Sequence, residues 1–118
     1  MDDILTNAER IERKIRDLES QRSGLLNAAQ QRAVAISNYD RAVALTTLKL
    51  ITGQITKFEN LEVVKVTATN TKDVAKGVCW RERLKLEEAE GVYKSLVSNI
   101  DCIKAELNGL QSINRHLA

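Results

Sequence analysis

The stretch that decides the fold is residues 86–117, which read LEEAEGVYKSLVSNIDCIKAELNGLQSINRHL. Apolar side chains recur in it at alternating steps of three and four residues, and Asn114 alone interrupts the series. Its members are Leu86, Ala89, Tyr93, Leu96, Ile100, Ile103, Leu107, Leu110 and Leu117. This heptad spacing is typical of a helix with one apolar stripe. Because one helix cannot bury its own stripe, the segment predicts packing against other helices.

A second long helix is predicted for residues 2–52. Asp2 and Asp3 place negative charge where a helix N-terminus favours it. The apolar positions assigned to its buried face are Ile4, Ala8, Ile11, Ile15, Leu18, Leu25, Leu26, Ala29, Ala33, Ile36, Tyr39, Val43, Leu48 and Ile51. The similar lengths of the two helices favour an antiparallel hairpin.

Residues 53–70 are predicted to connect the long helices. Gly53 is expected to end the first helix, and Gln54–Leu61 is interpreted as a short helix. The segment 61–69 is rich in β-branched residues and favours an extended strand, for which the chain offers no evident partner. Asn70 and Thr71 resemble a helix N-cap that begins a helix of residues 71–117. Gly77 is predicted to divide a short helix, 71–76, from the rest.

The composition supports an all-α class. The chain has 118 residues, no proline and only five glycines, so little interrupts a helix. We therefore expect a single domain, residues 1–118, built as a coiled-coil-like antiparallel hairpin with a short additional helix near the turn. Gly91 and Gly109 lie inside the heptad helix and favour close helix contacts in a homo-oligomer. The residues assigned to helix packing and oligomer contacts are Leu86, Tyr93, Leu96, Ile100, Ile103, Leu107 and Leu110.

The sequence gives no pattern for catalysis, a metal or a cofactor. Cys79 and Cys102 lie apart from each other, and His116 is the single histidine, so a zinc site lacks ligands. Adjacent positions on a helix point apart, so the glutamates at 87, 88 and 90 are interpreted as a solvated face rather than a paired-carboxylate site, and no glycine-rich phosphate loop is present. We expect a protein that is not an enzyme. The lack of a signal-peptide pattern or a long apolar run favours a cytoplasmic protein.

Positive charge is concentrated in the middle of the chain. Residues 41–85 carry nine basic and four acidic residues, a net charge of +5, whereas the whole chain has +2. Cations neutralise phosphates, and an exposed aromatic ring can stack on a base. The residues predicted to bind nucleic acid are Lys57, Lys65, Lys72, Lys76, Trp80, Arg81, Arg83 and Lys85, with Phe58 as a second candidate for stacking. The competing interpretation is that the charges keep a thin domain soluble and that Trp80 belongs to its core.

A resemblance to a phage family appears near the end of the chain. The segments Tyr93–Leu96 and Ile103–Arg115, with the alanine-rich stretch 35–42 that contains Tyr39, resemble small helical phage proteins of the type of UvsY, the recombination mediator of T-even phages. The resemblance implies an oligomeric helical protein that binds single-stranded DNA and helps to load a recombinase in the host cytoplasm. It assigns no individual DNA-contacting residue.

The sequence is also compatible with two other functions. The first is a helical protein-binding module without a nucleic-acid role, such as an assembly chaperone, a virion component or an inhibitor of a host factor. The second is a prefoldin-like chaperone. It requires two hairpin strands between the helices, whereas only residues 61–69 have the composition of a strand.

Overall fold

The computed structural model describes residues 2–63 and 70–117. Within these ranges the chain forms helix α1 (Asp2–Ile51), strands β1 (Lys57–Phe58) and β2 (Leu61–Glu62), and helices α2 (Thr71–Val78) and α3 (Trp80–Leu117). Helices hold 87% of the described residues, so the predicted all-α class is confirmed. None of the helices described is long and apolar enough to cross a membrane.

The segment after α1 is a β-hairpin, and the prediction of a short helix at Gln54–Leu61 is wrong. Gly53 has a positive φ of 75°, and Glu59 and Asn60 have φ values of 50° and 68°. Two consecutive residues with positive φ form a tight hairpin turn. Strands β1 and β2 therefore pair in antiparallel fashion, with Phe58 opposite Leu61.

The hairpin provides strands for two of the sequence-based interpretations. The first two residues of the strand predicted for 61–69, Leu61 and Glu62, pair with β1 of the same chain. Residues 64–69 lie outside the described residues. The prefoldin-like interpretation required two strands between the helices, and β1 and β2 meet that requirement with two residues each.

The division between α2 and α3 falls at Cys79, and the predicted break at Gly77 is wrong. Cys79 has φ −89° and ψ 29°, which departs from helical geometry. Its backbone N–H still donates to the carbonyl of Ala75 at 3.0 Å, so only one residue leaves the helical path. Asn70 stands at the N-cap of α2 as predicted, but without a side-chain capping hydrogen bond.

The contacts divide the chain into two compact units, and unit 1 comprises residues 1–30 and 91–118. Within it α1 runs antiparallel to α3. Lys14 forms an ion pair with Glu106, and a Cβ placed on Gly24 would lie 3.7 Å from Leu96. The most buried apolar residues of unit 1 are Leu18, Ala28 and Ile100. These few residues make a thin seam between two helices.

Polar side chains occupy three positions of this seam at a spacing of seven residues. Asn7, Lys14 and Gln21 lie on the covered side of α1, where they alternate with the apolar residues Ile4, Ile11, Leu18 and Leu25. The Oε1 atom of Gln21 is buried and has no hydrogen-bond partner, and the same holds for Oδ1 of Asn114. A buried polar atom without a partner lowers stability. Such residues restrict which helices can pair and in which register.

Unit 2 comprises residues 31–90 and has its own core. Buried side chains from α1, α2 and α3 meet in it: Tyr39, Val43, Leu50, Ala75, Cys79 and Leu86. The Thr46 hydroxyl lies 3.3 Å from the Cys79 thiol inside this core. Arg32 faces Glu90 at 3.8 Å, so α1 again runs antiparallel to α3. Phe58 fixes the hairpin on α2, because its ring lies 3.8 Å from where Gly77 would carry a Cβ.

Part of the predicted buried face of α1 is exposed. Ile15, Leu26, Leu48 and Ile51 are between 40% and 68% exposed. Thr46 and Leu50, which the predicted face omitted, are buried, and the predicted positions Ile4, Ile11, Leu18, Leu25 and Tyr39 are covered. These last five residues are separated by seven residues or a multiple of seven. The exposed residues Ile15, Leu26, Leu48 and Ile51 do not fall on this series. Helix rotation, rather than apolar character alone, decides which side chains are covered.

The core of unit 2 can be tested with two leucines on the same helix. Leu86 is 7% exposed and Leu84 is 52% exposed. We expect Leu86→Ala to lower the free energy of unfolding by about 2–3 kcal/mol, because it removes buried methyl groups and leaves a cavity. Leu84→Ala should lower it by less than about 0.5 kcal/mol. Urea denaturation followed by circular dichroism at equal protein concentrations checks this; equal losses would contradict the assigned core.

For a polar residue in the seam of unit 1, we expect a substitution to raise the free energy of unfolding. Gln21→Leu removes a buried oxygen without a partner and adds apolar contact, so we expect it to raise the free energy of unfolding by about 1 kcal/mol. Gln30→Leu, at an exposed position of the same helix, is the matched control and should be close to neutral. A loss of stability in Gln21→Leu, measured in the same denaturation assay, would show that the amide has a partner.

Candidate nucleic-acid interface

One surface groove of unit 2 combines cations with an apolar floor. It has a volume of about 720 Å³ and lies between α1 and the α2–α3 segment. Its lining residues, which we call the cationic groove, are Tyr39, Asp40, Val43, Ala44, Thr47, Leu48, Lys72, Lys76 and Arg83. Three of the residues predicted to bind nucleic acid thus share one surface.

The three cations come from both sides of the division at Cys79. Lys72 and Lys76 lie four residues apart on one face of α2, and Arg83 reaches the same groove from the first turn of α3. Trp80, the first residue of α3, is not among the lining residues of the groove and is 48% exposed. The interpretation of Trp80 as a core residue is therefore wrong. The guanidinium of Arg81 lies 5.2 Å from the centre of its ring.

Arg83 is the most constrained of the three cations. Its Nε donates to Oε1 of Glu87 at 2.8 Å, and its Nη2 lies 2.6 Å from the same oxygen. The guanidinium also lies 5.6 Å from the centre of the buried Tyr39 ring. A side-chain hydrogen bond to Glu87, and a second one to Tyr39 with a smaller effect, raise the pKa of Arg83 above its ordinary value. Both contacts favour the charged form of Arg83, which an arginine keeps throughout the physiological pH range.

The other predicted residues lie elsewhere. Lys85 lines a separate groove of unit 2, also of about 720 Å³, together with Arg41 and Glu82. Lys57 is exposed on β1, and Lys65 lies outside the described residues. Phe58 is half-buried against α2, which leaves Trp80 as the better placed ring for stacking. The predicted binding site is thus divided between two grooves and the hairpin.

Two residues of the cationic groove were not predicted to take part in it. The sequence assigned Tyr39 only to the apolar stripe of α1, and Asp40 received no role. The structure places the Tyr39 ring beneath Arg83 and Asp40 on the groove lining. The sequence alone did not indicate this, because the contact depends on the antiparallel register of the helices, in which Arg32 faces Glu90 and Thr46 faces Cys79.

The residues assigned to helix packing lie on the covered side of α3. Leu86 and Ile100 are buried. The others are half-buried: Tyr93, Leu96, Ile103, Leu107 and Leu110. Their role in contacts between copies of the chain stays a prediction.

The described residues contain no group of three or more histidine, cysteine, aspartate or glutamate side chains that could hold a metal ion. The two cysteines are both free thiols, and they differ in their surroundings. Cys79 is buried in the core of unit 2, whereas Cys102 is exposed on α3 in unit 1. Cys79 thus has a packing role next to Thr46.

Comparisons with models of protein families, with curated proteins and with solved structures find no match. The resemblance to the UvsY type of recombination mediator therefore stays an expectation from the sequence.

The contrast between the thiols gives a prediction. We expect one thiol, that of Cys102, to react quickly with Ellman's reagent in the native protein, and both to react in urea, because burial excludes the reagent from Cys79. The variant Cys102→Ser should show no fast-reacting thiol before unfolding. Two fast thiols in the native protein would contradict the packing of α1 against Cys79.

Proposed function

We propose that this protein is a phage-type accessory factor for single-stranded DNA recombination or replication, which binds the DNA in the cationic groove of unit 2. In this proposal the two long helices join as one antiparallel hairpin, and several copies assemble into a homo-oligomer. The observation that carries the proposal is that Lys72, Lys76 and Arg83 line one groove, and the exposed Trp80 lies between Lys76 and Arg83 in the sequence.

The charges of the groove suit the phosphates of a polyanion. Each cation that neutralises a phosphate releases counterions, so binding weakens as salt is added. For a single strand, three such contacts give a slope of about −2 in a plot of log affinity against log salt concentration. Asp40 lies on the same lining and limits the net positive charge of the groove to a moderate value. Several copies acting together would raise the affinity for a long strand.

The apolar part of the groove favours a single strand over a duplex. Val43, Ala44 and Leu48 line the groove together with the cations. Unpaired bases can cover such apolar atoms and stack on an exposed aromatic ring, an interaction of about 1–3 kcal/mol per base. Trp80 is the only tryptophan of the chain, and its fluorescence therefore reports binding directly.

The alternative is a helical protein-binding module, and a second observation favours it. In the groove that contains Lys85, Val34 and Leu45 are about half exposed. They lie beside Ala35 and Ala42, whose small side chains allow a helix to approach closely. A partner helix with apolar residues at heptad spacing would fit there. Recovery of one protein partner in a pulldown that nuclease does not affect would support this function, including that of an assembly chaperone.

The DNA-binding proposal is tested by removing charge from the groove. We expect Lys72→Gln with Lys76→Gln to weaken binding of oligo(dT) at low salt by about tenfold or more, and to reduce the salt slope by roughly 1.4, which corresponds to two lost phosphate contacts. The measurement is quenching of Trp80 fluorescence during a titration with oligo(dT) at several salt concentrations.

The matched control is Lys94→Gln with Lys104→Gln. It removes the same charge from exposed positions of α3 in unit 1. This control should keep most of the affinity and the salt slope. Equal losses in the two double variants would show that binding depends on net charge alone, and an absence of binding by the unaltered protein at low salt would contradict the proposed function.

A further inference from the structure

The contact between Arg83 and Glu87 has the form of an anion-binding site. Two nitrogens on one side of the guanidinium, Nε and Nη2, approach a single carboxylate oxygen at 2.8 Å and 2.6 Å. Arginine binds phosphate oxygens through the same nitrogens and at similar distances. The Glu87 carboxylate thus stands where an oxygen of a bound phosphate would be expected.

Arg83 has a second contact, with an aromatic ring. The Tyr39 ring is buried in the core of unit 2, and the guanidinium lies 5.6 Å from its centre. A cation over an aromatic ring is stabilised whether its partner is a carboxylate or a phosphate. Tyr39 therefore keeps Arg83 in one position when the anion changes, which lowers the ordering cost of binding.

The ion pair itself is open to exchange. About half of each side chain is exposed, 54% for Arg83 and 51% for Glu87. Exposed pairs of this kind are weak, so a phosphate that also contacts other cations can displace the carboxylate. Lys72 and Lys76 supply those further contacts, since both line the groove that contains Arg83.

We infer that Arg83 is the anchor of the cationic groove for phosphate and that Glu87 is an internal competitor which occupies this anchor in the absence of ligand. The inference rests on the proposed function and adds a specific consequence to it. Glu87 lowers the affinity for polyanions and disfavours anions with a single phosphate, because an anion with several phosphates gains further contacts that offset the cost of displacing Glu87.

The test compares two neighbouring glutamates. Glu87→Gln and Glu88→Gln remove the same charge, but consecutive helical residues point about 100° apart, and among the ion pairs the structure describes only Glu87 contacts Arg83. We expect Glu87→Gln to tighten oligo(dT) binding about threefold at low salt, as expected for loss of one exposed competing ion pair. Glu88→Gln should change the affinity by less than about 1.5-fold, because it acts only through screened, longer-range charge.

A double-mutant cycle identifies the cation through which Glu87 acts. In the background of Arg83→Gln, the change Glu87→Gln should lose its advantage and match Glu88→Gln. Arg83→Lys is a second background, which keeps the charge but lacks the two-nitrogen geometry; it should retain only part of the advantage. Circular dichroism and urea denaturation on each variant verify that unit 2 stays folded.

The outcomes separate the two claims. A gain in Glu87→Gln that disappears with Arg83→Gln supports the inference. Equal affinities of Glu87→Gln, Glu88→Gln and the unaltered protein, or a gain that persists in Arg83→Gln, overturn it and leave the proposed function in place. If neither the unaltered protein nor any of the variants binds oligo(dT) at low salt, the proposed function is overturned together with the inference.

Discussion

The burial of the apolar stripes of α1 and α3 against each other is the interaction on which the rest of the structure depends. Neither helix can cover its stripe alone, and the described residues contain no large side chain that is fully buried. The seam is therefore thin in both units. In unit 1 it brings Lys14 to Glu106, and in unit 2 it brings Tyr39 to Arg83. The cationic groove is thus a consequence of the seam.

The fold is easiest to predict from the sequence where a single apolar pattern determines which face of a helix is covered. The stripe of α3 could be predicted because the heptad spacing of apolar residues is unbroken from Leu86 to Leu110. Only after the interruption at Asn114 is a predicted member, Leu117, exposed. The face of α1 was harder to predict, because apolar residues such as Leu26 and Leu48 flank the true seam and polar residues such as Gln21 lie within it. Apolar character alone does not determine helix rotation, which depends on the partner helix.

The connection shows a different limit. Gln54–Leu61 has the composition of a short helix, but the positive φ values at Glu59 and Asn60 turn it into a hairpin. Neither residue is a glycine, so this turn is only weakly indicated by the residue types. Phe58 then stabilises the hairpin by packing against Gly77 on α2, a contact that no local pattern reveals. The division of the helix at Cys79 was missed for a similar reason, because that residue is fixed by the core around Thr46.

The candidate site was predicted in composition but not in arrangement. The excess of cations between residues 41 and 85 is visible in the sequence, and so is Trp80 among them. Their separation is not visible, because a difference of two positions, from Arg83 to Lys85, directs the side chains to different grooves. The contact of Arg83 with Glu87 and Tyr39 also required the structure, since many Arg–Glu pairs at this spacing occur on helices that bind nothing.

The central claim is that single-stranded DNA lies against the α2–α3 face of unit 2, and photochemical cross-linking tests it most directly. An oligonucleotide in which 5-iodouracil replaces thymine would be bound at low salt, irradiated, and the linked peptides identified by mass spectrometry. The account predicts cross-links at Trp80 and within the segment 72–83. Cross-links confined to residues 1–30 and 91–117, or no cross-link under conditions in which the DNA is bound, would contradict it.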